Sequence, residues 1–256
     1  MNYWAKRTAQ AQEKLTNKSI AQTEKQLIKY YKSSMLKICG QFEKTYNKVL
    51  LSTSEGREPT PADLYKLDSY WQMQNQLRNE LQRLGDKTAV SFSDNFMKQY
   101  KTIYEAVALP GDAAFSNYDR QAAMQMINQI WCADGKSWSQ RVWENTNKLQ
   151  ETLNEQLIHC VVSGKSTTEL NRMLQNEFGV SYRRADTIIR TEMAHIQTEA
   201  AKERYKDYGI KEVEIIVEPD ACDICLEFEG QTFPIDGAMP VPAHPNCRCC
   251  VVPVIE

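Results

Sequence analysis

Five of the eight cysteines and one of the three histidines crowd into CDICLEFEGQTFPIDGAMPVPAHPNCRCC, residues 222–250. Cys222 and Cys225 form a C-x-x-C pair, and a two-residue spacer lets a tight turn aim both thiolates at one ion. HPNCRC follows and offers His244, Cys247 and Cys249. A tetrahedral site takes four ligands, so the motif carries one donor more than it needs. Cys222, Cys225, His244 and Cys247 are the first choice, because two tight pairs joined by a loop is the usual arrangement. Cys249 in place of His244 or Cys247 is the alternative, and Cys250 is left spare. Thiolates with imidazole suit Zn2+ rather than a hard cation. Four protein ligands leave no position for water, so the ion would be structural. The Gly- and Pro-containing segment between the pairs is too short to fold by packing alone, and metal binding would supply the missing stabilisation. The competing reading is a set of reduced, buried cysteines with no metal.

Residues that look enzymatic are few. RTEMAH places Arg190, Glu192 and His195 within two helical turns, where Glu192 and His195, three apart, are within reach of each other. Arg190 paired with Asp186 one turn earlier, or with the cysteine segment, is the plainer reading. SGKS lacks the full phosphate-loop signature and a preceding strand, and reads as a helix cap. No catalytic residue is assigned.

The elements that must position these groups are mostly helical. Ile20, Leu27, Tyr31, Met35, Ile38, Phe42 and Val49 recur at helical spacing. Lys14, Lys18, Lys25, Lys29 and Lys32 repeat at nearly the same period, so much of the charge should line one side. Residues 52–63 interrupt with Gly and two prolines. A second helix follows, with Leu64, Leu67, Trp71, Leu77, Leu81 and Leu84 as its apolar positions, before another break at 106–117. Further helices are expected over 120–131, around Val142, Leu149, Leu153, Leu157 and Val161, and after a Ser166/Glu169 capping box. The capped helix should end near Gly179, and a last one should span 183–208 and close at Gly209. Then the period changes. Residues 211–218 alternate charged and β-branched side chains, which predicts a strand, with 251–255 as a proline-bearing edge partner. The expected fold is mainly α, a helical body with a small β-rich, zinc-stapled C-terminal knob, α+β overall. Its regions are 1–117, a basic helical part; 118–209, a helical core; and 210–256, the knob.

Composition sets the compartment. Residues 1–50 carry ten Lys/Arg against three Asp/Glu, whereas residues 101–256 carry fifteen against twenty-three. A basic arm ahead of an acidic body calls for an anionic partner, with Lys25, Lys29 and Lys32 as its contacts; a solvated helix face is the plainer alternative. MNYWAKRTAQAQEKL lacks the apolar core of a signal peptide, and no stretch reaches transmembrane length. The expectation is a chain that folds in a reducing cytoplasm without a membrane partner, where clustered cysteines bind metal more often than they pair.

IIRTEMAHIQTEAAKERYKDYGI, then CDICLEFEGQTF, then PVPAHPNCRCCVVPV resembles the phage head morphogenesis family of phage Mu F-like minor head proteins. The resemblance covers about residues 131–253. It implies a non-enzymatic minor capsid protein of a phage or prophage. Such a protein associates with the portal inside the procapsid and aids head morphogenesis and DNA packaging or delivery. Portal, scaffold or major capsid protein are the implied partners, with packaged DNA reached through the basic helix. The implied location is the host cytoplasm during assembly, then the virion. Arg190, Thr191 and Glu192 match the family's helix motif, and Cys222, Cys225, His244, Cys247 and Cys249 match its Cys/His pattern. Cys250 extends the usual ending. The competing functions are a metal-dependent nuclease-like enzyme with a structural zinc and a zinc-knob DNA-binding module.

Overall fold

The computed structural model describes residues 3–53, 57, 59–107 and 118–255. Helix α1 (Tyr3–Ser52) follows the apolar row: Ile20, Leu27, Tyr31, Ile38, Phe42 and Val49 are all buried. Tyr46 joins them, its hydroxyl donating to the Cys160 and Lys165 carbonyls. The helix stops where Ser52 and Thr53 turn their hydroxyls back onto the Val49 carbonyl, at 2.9 and 2.8 Å. A capping box at Thr60 and Asp63, with Pro61 in the first turn, starts the short α2 (Pro61–Tyr65). Helix α3 (Asp68–Ala106) buries Leu77, Leu81 and Leu84 as expected. Trp71 departs from the row and is 55% exposed, leaning on Tyr65 and Tyr70. The break at 106–117, and with it the boundary at residue 117, lies almost wholly outside the described residues.

Asp119 caps α4 (Arg120–Ile127) by accepting from the Gln121 and Ala122 amides. Helix α5 (Trp138–Val162) buries Val142, Leu149, Leu153, Leu157 and Val161, while His159 on its flank is exposed. After Gly164, at φ +56°, the Ser166/Glu169 box opens α6 (Thr167–Asp207) as the sequence predicts. The expected end at Gly179 does not occur. The buried positions Leu170, Leu174, Phe178, Ala185, Ile189 and Met193 keep helical spacing across it, and packing outweighs a glycine penalty of about 1 kcal/mol. The real stop is Gly209, at φ +71°.

Strands β1 (Glu212–Ile216), β2 (Thr232–Pro234) and β3 (Cys250–Pro253) make an antiparallel sheet in the order β2-β1-β3. Pro253 lies on an edge strand, as its missing amide requires. The four-residue α7 (Asp223–Leu226) sits between β1 and β2. The protein is thus mainly α with a small C-terminal sheet.

Two compact units emerge, each assembled from separate stretches of chain. One comprises Lys25–Val90 and Ser139–Ala185. It is a helical bundle whose fully buried side chains include Leu27, Ile38, Phe42, Leu77, Leu81, Leu153 and Leu174. Among its buried polar groups, Asn145 donates to the Ser181 carbonyl at 2.8 Å and Ser34 donates to Glu80 at 2.9 Å. Gly85 is needed there, because a Cβ would stand 2.4 Å from the Trp143 ring. The other unit comprises Met1–Glu24, Ser91–Trp138 and Asp186–Glu256. Ala5 and Ala9 pack with Ile216, Cys250 and Val252 of the sheet. Beside them runs a buried polar chain. Gln99 donates to Thr16 at 2.6 Å, Thr16 to Gln197 at 2.5 Å, and Gln12 to the Val251 carbonyl at 3.1 Å. Among the described residues, no helix is long and apolar enough to cross a membrane.

Candidate metal centre

β1 delivers the chain to the first cysteine pair. Val213 and Ile215 face inward and are fully buried, which fixes the register of the strand against Phe233 on one side and Val251 on the other. Cys222 then caps α7, and its carbonyl accepts from the amides of Cys225 at 2.9 Å and Leu226 at 3.0 Å. This single turn brings the Cys222 and Cys225 thiols to one side. The second arm is a turn at 244–247, closed by the Cys247 amide on the His244 carbonyl at 3.1 Å, with Asn246 at φ +63°. Asparagine tolerates that left-handed conformation better than most residues.

The two arms converge. His244 Nε2 lies 3.2 Å from Cys222 Sγ and 3.1 Å from Cys225 Sγ, and Cys225 and Cys247 sulfurs are 3.7 Å apart. Thiolates held 2.3 Å from a tetrahedral centre would stand roughly 3.8 Å apart, so the sulfur spacing suits one ion. Two triads have ligand atoms close enough to share a cation: Cys222, Cys225 and His244, and Cys225, Cys247 and Cys249. Cys225 belongs to both, which makes it the pivot of the cluster. Cys250 is in neither. It opens β3, packs against Ala5 and Ala9, and burial pushes its thiol up to about 12.

Crowding sets the electrostatics. A hydrogen bond from the Cys249 thiol pulls Cys247 well below the usual thiol range, and the same bond holds Cys249 far above it. Burial raises Cys225, whereas backbone amides at its helix turn lower Cys222. Without a cation, buried thiolates this close repel, and most must keep their protons. A divalent ion reverses that balance, because coordinating thiols are deprotonated outright. This donor set, two triads of thiols and one imidazole that share Cys225, fits a soft or borderline metal. The Arg248–Asp220 pair at 2.5 Å links the approaches of the two arms, but both side chains are largely exposed.

Arg190, Thr191 and Glu192 of α6 stand beside this centre and point three ways. Arg190 pairs with Asp186 at 3.0 Å, as the spacing predicts, and also with Glu24 of α1. Thr191 has a bond to the knob, its hydroxyl oxygen accepting from the Asn246 amide at 3.1 Å. Glu192 is buried and accepts from the Trp131 indole at 2.9 Å. His195 stacks on that same indole, with ring centroids 4.2 Å apart, and burial lowers it to about 4. Glu192 and His195 therefore meet through Trp131. No sequence signal marked that tryptophan, because the predicted helix ran through it, whereas α4 stops at Ile127. Lys202 and Lys206 add contacts from α6 to the loop at Gly237 and Asp236. Lys14, Lys18, Lys25, Lys29 and Lys32 are all exposed along α1, away from the thiols in sequence and fold element.

Comparison with known proteins agrees with these motifs. The NAD(+)–arginine ADP-ribosyltransferase EFV of Enterococcus faecalis is 25% identical over 142 residues, which is 48% of this chain and 29% of that protein. The chain thus spans less than a third of that relative's length. No solved structure matches. The model of the Phage Mu protein F like protein family matches residues 151–252, which take in the C-terminal part of α5, all of α6, and the three strands except Pro253. Over residues 151–252, less than half of its length, the chain is therefore similar to the Phage Mu protein F like family.

Proposed function

We propose that this protein is a structural minor head protein of a phage or prophage, one that associates with the portal inside the procapsid and aids DNA packaging or delivery. The observation that carries the reading is the coincidence of the family segment, residues 151–252, with α6 and the thiol-rich knob fastened to it. In this reading Zn2+ is held by Cys222, Cys225, His244 and Cys247, with Cys249 as the alternative ligand, and does no chemistry on a substrate. The ion keeps residues 210–256 folded, and α6 presents them to portal, scaffold or major capsid protein. Lys25, Lys29 and Lys32 offer a cationic contact for the anionic backbone of packaged DNA. Assembly takes place in the host cytoplasm, and the protein ends inside the head near the portal. The basic region to residue 117, the helical core to 209 and the knob are its working divisions.

The arrangement of Arg190 and Glu192 supports a non-enzymatic role, since both are engaged in contacts that join elements of the fold. The transferase activity in the relative's name is not carried over, because the match covers only 29% of that protein. Metal analysis of protein purified without chelator should find about one zinc per chain. Less than half an equivalent would sink the staple. Electron cryomicroscopy of particles containing the protein should show its density at the portal vertex. Nicking of DNA with added Mg2+ or Mn2+, or ADP-ribosylation of arginine from NAD+, would replace this reading with an enzyme.

A further inference from the structure

One peptide unit, between Pro245 and Asn246, carries two bonds on its opposite edges. Its N–H donates to Thr191 Oγ1 at 3.1 Å. Its carbonyl faces His244 Nδ1 at 2.8 Å. A carbonyl only accepts, so Nδ1 must hold the ring proton, and the unprotonated Nε2 is the atom left beside Cys222 and Cys225. A trans peptide is planar, and its N–H and C=O point apart, so turning one turns the other. The hydroxyl of Thr191 is itself fixed, because it donates to the Thr187 carbonyl at 2.7 Å within α6. That leaves its lone pairs for Asn246. Asn246 at φ +63° can adopt but does not require this left-handed geometry, and the bond from Thr191 adds an outside anchor for it.

We propose that Thr191 is a positioning residue for the metal centre: through the 245–246 peptide it sets the tautomer and ring direction of His244. The anchor lies on a rigid 41-residue helix rather than on the knob. The ligand turn is thereby tied to α6 whatever the mobility of its own loop. This rests on the zinc-staple reading with His244 as a ligand. It assigns the middle residue of the Arg-Thr-Glu motif a role distinct from its neighbours, which bond elsewhere.

The test uses the full chain loaded with zinc. Thr191→Val keeps the shape of the side chain and removes the acceptor; Thr191→Ser restores it. Loss of such an outer contact typically weakens metal binding about 10–100-fold. Zinc transfer to a chromophoric chelator should therefore be at least about tenfold faster for Thr191→Val and near wild type for Thr191→Ser. Nitrogen chemical shifts should show His244 bound to zinc through Nε2 alone in the wild type and a mixture of Nε2- and Nδ1-bound forms in Thr191→Val. Equal release rates, or Thr191→Ser as fast as Thr191→Val, would overturn the proposal while leaving the staple standing. Wild-type protein that takes up no zinc would remove the staple and this role with it. Should Thr191→Val fail to fold, amide exchange on the zinc-loaded wild type decides: Asn246 N–H should be protected, and rapid exchange there overturns the assignment.

Discussion

The bundle unit and the metal knob differ in what holds them. The bundle buries Leu, Ile, Phe and Tyr at helical spacing on four long segments, and its specificity comes from close packing such as Gly85 against Trp143. The knob has strands of five, three and four residues. Its inward apolar side chains are few, and much of its interior is sulfur: Cys225, Cys247, Cys249 and Cys250 are all at least 95% buried. So small a segment buries little apolar surface of its own, and on the proposed reading an ion bound by the clustered thiols would add to the packing that Ala5 and Ala9 supply. The contrast explains why one part of the sequence reads as periodicity and the other as ligand spacing. It also separates their failure modes.

The largest effect should come from the pivot. Cys225→Ser should lower bound zinc to below about a tenth of an equivalent and open residues 218–249 to protease, while bundle peptides stay protected. Cleavage spreading equally through both units would erase the distinction. Cys250→Ala, outside both triads, should keep its metal. The reverse experiment acts on the bundle. Leu153→Ala should cost about 2–5 kcal/mol of stability in denaturant titration, with zinc content unchanged.

A pH effect of comparable size belongs to His195, in the unit that carries the knob. The folded protein keeps this ring neutral down to about pH 4, whereas the unfolded chain takes up its proton near 6.5. The unfolded state is therefore favoured as pH falls through that window. Up to about 3 kcal/mol should be lost between pH 6.5 and 4, and His195→Phe, which keeps the stack on Trp131, should flatten the slope. An unchanged slope in the variant would assign the effect to other groups. The smallest effects concern the motif's outer residues. Glu192→Ala leaves the Trp131 indole without its acceptor in a buried site and should cost about 1–3 kcal/mol. Arg190→Ala should cost about 1 kcal/mol or less, because its side chain is 40% exposed. Equal costs would mean that the Glu24 pairing is worth more than its exposure implies.

Local signals were the legible ones. The Ser166/Glu169 box, the Gly209 stop, the β1 alternation and the Arg190–Asp186 pair all depend on residues within a turn or two, and each appears where spacing places it. Gly179 misled because a glycine signals a helix end only where packing does not carry the helix through. β2 escaped notice because three residues, the last a proline, carry no alternation to read. Trp71 fell out of its row because its neighbour Tyr70 takes the buried side of the first turn of α3, while the Trp71 indole donates to the Tyr65 carbonyl at 3.0 Å. At the candidate metal centre the clustering of Cys222, Cys225 and His244, and of Cys225, Cys247 and Cys249, follows pairs visible in the sequence. The bond from Thr191 to Asn246 was not visible there, since it joins residues 55 apart and involves a backbone amide that no side-chain motif encodes.

The partnership of Gln12 with Val251 has a consequence for how the protein is made. These residues are 239 positions apart, and Ala5 and Ala9 likewise pack on Cys250 and Val252. On a ribosome, the bundle has all its residues once position 185 has emerged. The first helix must wait with its amino-terminal end uncovered until residues 250–252 are released. A nascent chain stalled before that point should present Ala5, Ala9 and Gln12 to chaperones, and a ribosome pausing late in the message would lengthen that exposure. Synthesis speed over the codons for residues 186–252, more than any one contact, would then govern how much of this protein reaches its native state.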